Sequence, residues 1–346
     1  MSELIWAIDI GGTTTRVGVV AQSGVIAASR SFATPAKGSI AAYSSQLANA
    51  ARELIAKLQD DTQRAANESP STLSHGCGRE FLATAPCGVA IPGIVDAATT
   101  RVVRAVNLPV LEGVEVREFV SAALGMRNVV VRNDVVCAGL AQWRAAPPIY
   151  PGAQRFAYLS LGTGVAACVI LDGDVVSHTR GGPGHIGHLV VDTSPDAPRC
   201  RCGGRGCLEA LVGGWAIVSA ERASDGSGDI AHATMNTARD SGRGDLSDAA
   251  QRAKGLAVGL THLASLYAPD VIFLGGGVTE NHPHLIDAAR REFEQRRTDV
   301  MPSGLAVDRA PIKSNMAGLL GAAQFAEEFR ASRATPPKKP PPPVPS

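Results

Sequence analysis

A carboxylate beside a glycine turn is the first feature of the sequence that could do chemistry. The turn follows an apolar run and contains Asp9, Gly11, Gly12 and Thr13. Two adjacent glycines let the backbone turn tightly and bring its N–H groups close to an anion, and Thr13 can add a hydroxyl donor. Asp9 would hold magnesium rather than the phosphate itself. The pattern predicts a phosphate-binding turn, and a tight hairpin without a ligand is the alternative.

Two further glycine turns occur in the second half of the chain. One consists of Gly162, Thr163 and Gly164, and it is expected to hold phosphates from the other side. The other follows a buried strand and suits the close approach of backbone to an adenine or a ribose; it consists of Gly275, Gly276 and Gly277. The glycines match neither a P-loop, which needs a following Gly-Lys-Ser/Thr, nor a dinucleotide fingerprint, which needs three spaced glycines opening a helix.

A cluster of thiols has the composition of a metal site. Cys200, Cys202 and Cys207 fall within eight residues rich in glycine, and His188 precedes them by twelve residues. Three cysteines and one histidine complete a tetrahedral set for structural zinc, so a closed site that supports folding is expected. Three unrelated, redox-active cysteines in a loop are the alternative. The remaining cysteines are interpreted as core residues or exposed thiols: Cys77, Cys87, Cys137 and Cys168.

A candidate general base stands directly after a predicted strand. Phosphoryl transfer to an alcohol needs an acceptor for the hydroxyl proton, an aligned phosphate and a cation. Asp134 is the candidate base, and Asn133 beside it can hydrogen-bond a hydroxyl. Asp134 could instead cap the following helix, and both roles can coexist. Further polar or glycine candidates lie beside apolar or glycine-rich segments: Gly93, Asn107, His185, His188 and Glu209.

The elements that must position these groups follow a repeated pattern. Leu4 to Val20 reads as two strands around a glycine turn, and 156–171 repeats this unit. Strands at 87–91, 128–132 and 270–274 end in polar or glycine residues, which is typical of an α/β fold with its chemistry at strand ends. Helical spacing of apolar residues or a helix-like composition is found at 39–58, 137–144, 249–267 and 316–329, and the polar stretch 59–80 is predicted to be a surface loop. An internally duplicated α/β domain is the predicted architecture.

Length and composition set the domain organisation. The 346 residues are 45% hydrophobic, enough for a sizeable core. We expect an N-terminal lobe at 1–134, a C-terminal lobe at 135–330 with a zinc knuckle at 188–209, and a disordered proline-rich tail at 331–346.

The charge balance argues against several classes of partner. The 33 Lys and Arg against 32 Asp and Glu give a net charge of +1, so neither nucleic acid nor an acidic membrane is an expected partner. The N-terminal residues carry no leader pattern, and no run of 18 apolar residues is present, so a cytoplasmic protein is expected.

Taken together, these motifs resemble the ROK family (repressor, open reading frame, kinase) of sugar kinases across about residues 4 to 329. The resemblance is carried in order by 9–16, 91–96, 107–109, 133–134, 161–164, 187–188, 200–209 and 275–278. It implies a duplicated actin/hexokinase-like ATPase fold of two lobes with a cleft between them. The implied activity is ATP-dependent phosphorylation of a primary hydroxyl of a hexose, or of a sugar-like cyclitol.

The resemblance also implies a role for each candidate residue. The turns at 9–13 and 162–164 would bind ATP phosphates, 275–277 would lie near the adenosine, and Asp134 would be the catalytic base. Contacts to the sugar are implied for Asn107, Asn133, His188 and Glu209, with His188 also on zinc. ATP, Mg²⁺ and a structural Zn²⁺ are the implied cofactors, a small sugar or cyclitol is the implied partner, and a homo-oligomer, dimer or tetramer, is expected.

One position departs from the family pattern. The usual Gly-Glu-Ile-Gly-His reads here as Gly-His-Ile-Gly-His, with His185 in place of the glutamate that binds hydroxyls near the anomeric end. A carboxylate offers two acceptor oxygens where a neutral imidazole offers one acceptor nitrogen, so recognition of that end must differ. The acceptor could be another hexose, an amino or N-acetyl sugar, or a C7 cyclitol of aminocyclitol biosynthesis.

Two other functional classes fit the sequence less well. A transcriptional repressor of this family carries an N-terminal helix-turn-helix, for which the position of Asp9 leaves no room. A non-catalytic sugar sensor would not need Asp9, Thr13 and Asp134, whose presence favours an active kinase.

Overall fold

The computed structural model describes residues 4–35, 38–68, 84–105, 108–176, 184–224 and 246–334. A first five-stranded sheet is built from β1 (Leu4–Ile10), β2 (Thr14–Ala21), β3 (Ile26–Ala33), β4 (Cys87–Ile91) and β7 (Val129–Asn133). Its strand order is β3-β2-β1-β4-β7. Two short strands lie between β4 and β7 in the chain: β5 (Ile94–Val95) and β6 (Val102–Arg104).

A second five-stranded sheet repeats this arrangement. It contains β8 (Arg155–Leu161), β9 (Val165–Leu171), β10 (Asp174–Val175), β11 (Val271–Gly275) and β12 (Ala306–Arg309). Its order is β10-β9-β8-β11-β12. In both sheets the first strand pairs antiparallel with the second and parallel with a later strand, β4 or β11. The predicted α/β fold with an internal duplication is confirmed.

Helices connect the strands of both sheets. They are α1 (Ile40–Glu68), α2 (Val116–Leu124), α3 (Asp134–Ala145), α4 (Leu208–Val212), α5 (Gly214–Ser224), α6 (Leu246–Tyr267), α7 (Gly277–Asn281), α8 (Pro283–Glu294) and α9 (Ser314–Ala334). Short 3-10 helices occur at Pro109–Leu111 and His185–His188. None of the helices in the described ranges is long and apolar enough to span a membrane.

The central strands explain where the core lies. Every residue of β4 and of β11 is buried, and their sequences are short apolar runs (CGVAI and VIFLG), as parallel strands covered on both faces require. The largest wholly buried side chains include Trp6 in β1, Phe156 in β8 and Phe273 in β11. The rings of Phe156 and Phe273 meet edge to face, with centroids 5.5 Å apart. Because these strands are packed on both faces, their ends and the residues that follow them have a fixed position.

The chain forms two compact units, and both are discontinuous in sequence. Unit 1 takes the described residues of 1–92, 99–132 and 319–346, and unit 2 takes those of 93–98 and 133–318. The structure thus differs from the expected continuous lobes in that most of α9 belongs to unit 1. The physical reason is visible at Gly88 in β4, where a Cβ would overlap the backbone of Ala322 in α9. Strand and helix backbones approach closely there, so the helix covers the first sheet.

Several element boundaries also differ from the sequence-based predictions. Helix α1 continues to Glu68 through residues that were expected to form a loop, and residues 69–83 lie outside the described ranges. Helix α3 begins at Asp134 rather than at 137. Helix α9 includes residues 331–334, which were assigned to the tail, and 335–346 lie outside the described ranges.

Candidate active site

The first glycine turn, residues 11–13, lies in unit 1 and is fixed by hydrogen bonds. The Gly11 N–H donates to the Thr14 carbonyl at 3.0 Å, and the Thr34 N–H donates to the Thr13 carbonyl at 2.9 Å. The Thr34 hydroxyl donates to the Gly11 carbonyl at 2.8 Å. A Cβ on Gly11 would lie 2.9 Å from the Thr14 oxygen, so the turn needs glycine. The predicted phosphate-binding segment is therefore a preformed turn.

A buried chain of hydroxyl groups lies behind this turn. The Thr15 hydroxyl, which is wholly buried, hydrogen-bonds the Tyr43 hydroxyl at 2.6 Å and the Thr34 hydroxyl at 2.8 Å. Burial raises the pKa of Tyr43 above its ordinary value. These hydrogen-bonded hydroxyl groups link α1 and the end of β3 to the Gly11 carbonyl. Sequence analysis missed Thr34 and Tyr43, because their partners lie 19 to 28 residues away and no local spacing links them.

Asp9 lies at the end of β1, beside the turn. Its carboxylate is 3.7 Å from the Arg16 guanidinium, and the two side chains are 17% and 21% exposed. The carboxylate is partly open to solvent, and carboxylate oxygens are common Mg²⁺ ligands. Its position fits the predicted magnesium role.

The second glycine turn, residues 162–164, lies in unit 2 and is hydrogen-bonded to the start of α5. The Gly162 N–H donates to the Gly164 carbonyl, and the Gly162 carbonyl accepts from the Gly214 N–H, both at 2.9 Å. The Thr163 carbonyl accepts from the Trp215 N–H at 3.2 Å. The turn is therefore preformed, like the first one.

Glu209, in α4, lies directly against this turn. A Cβ on Gly164 would lie 2.6 Å from its Oε2 atom. The Val165 N–H donates to Oε2 at 2.9 Å, and the Trp215 indole N–H donates to Oε1 at 3.2 Å. Hydrogen bonds to both of its oxygens thus orient the carboxylate. The structure brings together two groups that were predicted separately, the phosphate turn and a sugar ligand.

The third glycine turn also meets the second. Gly276 has a φ of +93° and precedes α7, and a Cβ on it would overlap the carbonyl of Leu161, the residue before Gly162. The Thr279 hydroxyl donates to the Gly275 carbonyl at 2.9 Å. The turns at 162–164 and 275–277, more than a hundred residues apart in sequence, are therefore neighbours in unit 2.

Asn133 and Gly93 form a second cluster in unit 2. Asn133 caps α3, since its side-chain oxygen accepts from the N–H groups of Val135 at 3.0 Å and Val136 at 3.3 Å. Its amide donates to the carbonyl of Gly93, which has a φ of +98°, at 3.2 Å. The capping role considered for Asp134 therefore belongs to Asn133.

Asp134 is the first residue of α3 and is partly buried. Its Oδ1 atom accepts from the Val135 N–H at 2.8 Å. Burial raises the pKa of Asp134 to about 6, against the opposing effect of that hydrogen bond. A carboxyl group that titrates near neutral pH suits a general base, because it is ionised at pH 7 and yet accepts a proton readily.

The predicted zinc ligands converge in unit 2. The sulfur atoms of Cys202 and Cys207 are 3.7 Å apart, and the Cys200 sulfur is 3.7 Å from the His188 Nδ1 atom. One ligand atom from each of the four residues lies within 4.8 Å of the others. A tetrahedral zinc centre with Zn–S bonds of about 2.3 Å separates its sulfurs by about 3.7 Å. The residues therefore fit a structural zinc ion.

His185 lies next to the metal cluster. Its ring stacks on the His188 ring, with centroids 6.2 Å apart and planes inclined by 28°. Desolvation of the ring and the nearby His188 lower the pKa of His185, whereas Glu209 opposes this effect. A lowered pKa favours the neutral imidazole, which has one donor and one acceptor nitrogen. Asn107, another predicted sugar ligand, lies outside the described residues.

The chain is similar to known sugar kinases along most of its length. The family model described as the ROK family matches residues 5–328. Glucokinase of Thermotoga maritima is 26% identical over 341 residues, which cover 93% of this chain and 96% of that enzyme. Kanosamine kinase of Amycolatopsis mediterranei is 29% identical over 200 residues, and this match spans 58% of this chain and 63% of that protein.

Among solved structures, the crystal structure of a ROK family glucokinase from Streptomyces griseus in complex with glucose and AMPPNP is similar to this chain. The TM-score is 0.70 at 24% sequence identity, with 94% of this chain and 99% of that one covered. This likeness supports the duplicated fold.

Proposed function

The chain belongs to the ROK family, and from that premise we propose that it is an ATP-dependent kinase that phosphorylates a primary hydroxyl of a hexose-like acceptor. The relatives named glucokinase and kanosamine kinase support phosphorylation of a sugar. The observation that carries the proposal is the placement of the Asp134 carboxylate at the junction of β7 and α3, where burial raises its pKa to about 6.

The proposed chemical step uses Asp134 as the general base. The acceptor hydroxyl gives its proton to the Asp134 carboxylate while its oxygen bonds to the γ-phosphorus of ATP and the bond to the leaving ADP breaks. Asn133 keeps one amide hydrogen without a partner among the described residues, and this hydrogen would orient the same hydroxyl. The rigid cap that Asn133 forms on α3 keeps the base in a fixed place.

The glycine turns would bind the nucleotide. The turn at 11–13 in unit 1 and the turn at 162–164 in unit 2 would offer backbone N–H groups to the phosphates. Residues 275–277 would lie near the adenosine, because their turn is a neighbour of 162–164. Asp9 would hold Mg²⁺, which offsets negative charge on the phosphates during transfer.

The acceptor is proposed to differ from glucose in how its anomeric end is held. Glu209 and His188 would contact its hydroxyls, and His185 would supply one donor and one acceptor where a glutamate supplies two acceptors. A buried site that is matched to one pattern of polar groups discriminates against another. An amino sugar and a sugar-like cyclitol, including a C7 cyclitol, are the candidate acceptors.

The experiment measures ADP release with magnesium ATP across a panel of acceptors. The panel contains glucose, mannose, fructose, N-acetylmannosamine, kanosamine and C7 cyclitols. We expect turnover with an amino sugar or a cyclitol, and a loss of kcat of about a thousandfold in Asp134→Asn, which keeps the side chain's shape. ATP affinity, measured by calorimetry, should be unchanged in the variant.

Three outcomes would contradict parts of this proposal. Wild-type turnover in Asp134→Asn would remove Asp134 from the role of base. Efficient use of glucose without use of the other acceptors would overturn the inference from His185. Acceptor binding without ADP release in any reaction would identify a non-catalytic sugar sensor.

A further inference from the structure

A tryptophan side chain lies between the metal-binding cluster and the carboxylate of Glu209. We propose that Trp215 is a positioning residue, whose indole N–H holds the Glu209 carboxylate in the orientation that receives the acceptor. The inference rests on the proposed function, in which Glu209 contacts the acceptor.

The Glu209 carboxylate is held at both oxygen atoms. Oε2 accepts from the backbone N–H of Val165 at 2.9 Å, and Oε1 accepts from the Trp215 indole at 3.2 Å. Each carboxylate oxygen can accept a second hydrogen bond, so both stay able to receive an acceptor hydroxyl. Two donors at the two oxygens fix the rotation of the carboxylate. Among the described residues, one donor is a backbone N–H and the other is the indole side chain, which a substitution can remove.

Trp215 is itself held in place by two neighbouring segments. Its backbone N–H donates to the Thr163 carbonyl in the second glycine turn at 3.2 Å. Its partly buried ring packs against Cys200, Cys207 and Ala210, two of which are metal-ligand candidates. The indole therefore has little freedom to move away from Glu209.

A cation on the ring strengthens the link to the metal cluster. The Arg201 guanidinium lies 4.5 Å from the centroid of the Trp215 ring. This geometry is that of a cation–π interaction, and Arg201 stands between Cys200 and Cys202 in the sequence. The conformation of the cysteine segment is thus transmitted to the indole, and from the indole N–H to Glu209.

The consequence should be specific to acceptor binding. Trp215→Phe removes the indole N–H and keeps an aromatic ring against the cysteines. We expect the KM for the acceptor to rise about tenfold, because a hydrogen bond to a charged group is lost. The backbone bond to Thr163 is retained, so the KM for ATP and kcat should change less than about twofold.

The test compares four variants in the full-length protein with magnesium ATP and the best acceptor of the panel. Glu209→Gln reports directly on the acceptor site, and Trp143→Phe is the matched control, since Trp143 is a partly buried tryptophan of unit 2 that packs on Phe156. The double variant Glu209→Gln/Trp215→Phe should be no worse than Glu209→Gln alone, because the two residues act through one carboxylate.

The outcomes separate the inference from the proposed function. An unchanged acceptor KM in Trp215→Phe, together with a raised one in Glu209→Gln, overturns the positioning role and leaves the function intact. An unchanged acceptor KM in Glu209→Gln shows that the proposed acceptor site is wrong, and the inference falls with it. Equal rises in the KM values for acceptor and ATP would indicate general structural damage and also overturn it.

A second measurement is independent of activity. Chelation of the bound metal should change the tryptophan emission of the wild type and of Trp143→Phe, because the indole of Trp215 packs on the cysteine segment. Trp215→Phe should lose most of this change. An equally large change in Trp215→Phe would contradict the link between the cluster and the indole.

Discussion

Asp134 shows how the surroundings of one residue set its chemistry. The same carboxyl group on an exposed helix would be fully ionised at pH 6, whereas burial at the start of α3 raises its pKa to about 6. Ionised Asp134 is the form that can take the acceptor proton. The activity should therefore depend on pH in the range around pH 6.

The first prediction concerns this dependence. Because activity needs the deprotonated carboxyl, kcat/KM should be constant above about pH 7 and fall about tenfold per unit below pH 6. The pH profile of ADP release checks this expectation, with acceptor and ATP both far below their KM values. Asp134→Asn, whose residual rate has no such base, should lack the acidic limb. A limb of the same midpoint in the variant would assign the titration to another group.

Most of the candidate site residues could be proposed from the sequence. Glycines in pairs, clustered cysteines and an aspartate after a strand could all be recognised, because each combines a chemically distinctive residue type with a local spacing. Trp215 was not found, since its partner Glu209 stands in another helix and six residues away, a spacing with no regular meaning. A contact of that kind depends on the path of the chain between the two helices.

At the scale of elements, the hydroxyl chain joins α1, β2 and the end of β3 to the first glycine turn. The partners are Tyr43, Thr15 and Thr34, and the last of them donates to the Gly11 carbonyl. A buried hydroxyl needs a partner, so the three side chains support one another. The position of helix α1 is thereby coupled to the shape of the turn.

The second prediction tests this coupling. Thr34→Val should lower the free energy of unfolding by about 1–2 kcal/mol and raise the KM for ATP several-fold, because the Gly11 carbonyl loses its donor. Tyr43→Phe should cost about 1 kcal/mol with a smaller effect on ATP, since Tyr43 acts through Thr15. Denaturant unfolding and initial rates measure both effects. Tyr150→Phe, a change in unit 2 that removes a hydrogen bond to Asp308, should leave the KM for ATP unchanged.

The third prediction concerns the metal cluster. Zinc analysis of the purified protein should find about one ion per chain, and chelation should lower Tm by about 10 °C, because a bound ligand stabilises the folded state. Cys202→Ser should lose the ion and have the lower Tm without chelator. Cys168→Ala, which alters a buried thiol of β9 outside the cluster, should keep it. Full zinc content in Cys202→Ser would contradict the proposed ligand set.

Three elements that the sequence did not predict correctly each have a physical reason. In β3 most residues are exposed, which is expected of a strand at the edge of a sheet, so its sequence lacks an apolar run. Strand β12 has four residues, too few to show a period. The last ten residues of α1, 59–68, were predicted to form a loop because they are polar and lack an apolar period.

At the scale of the whole molecule, the division into units follows contacts and not the order of the chain. Residues 319–334 complete unit 1, although they come last in the described sequence. The Arg132 guanidinium lies 4.6 Å from the centroid of the Phe325 ring, which adds a contact between β7 and α9. No local signal in the sequence reveals such a closure, because it joins segments that are almost two hundred residues apart.

The fourth prediction compares two glycines under α9. Gly88→Ala should destabilise the protein by about 3 kcal/mol, because the new methyl group meets the rigid backbone of Ala322. Gly18→Ala should cost about 1 kcal/mol, because its nearest neighbour is the flexible end of the Leu319 side chain. Urea denaturation of the two variants measures the difference. Equal losses would mean that the helix backbone does not lie on β4 as described.

Because α9 completes unit 1, the order of synthesis on the ribosome affects how this unit folds. The ribosome delivers residues 133–318, the bulk of unit 2, before it delivers the helix that covers the first sheet. The face of strands β1 to β4 that α9 covers therefore stays exposed while a later part of the chain is synthesised and folds. Nascent chains arrested before residue 319 should be bound by chaperones at their N-terminal sheet, and chains arrested well beyond Ala334 should be released from them.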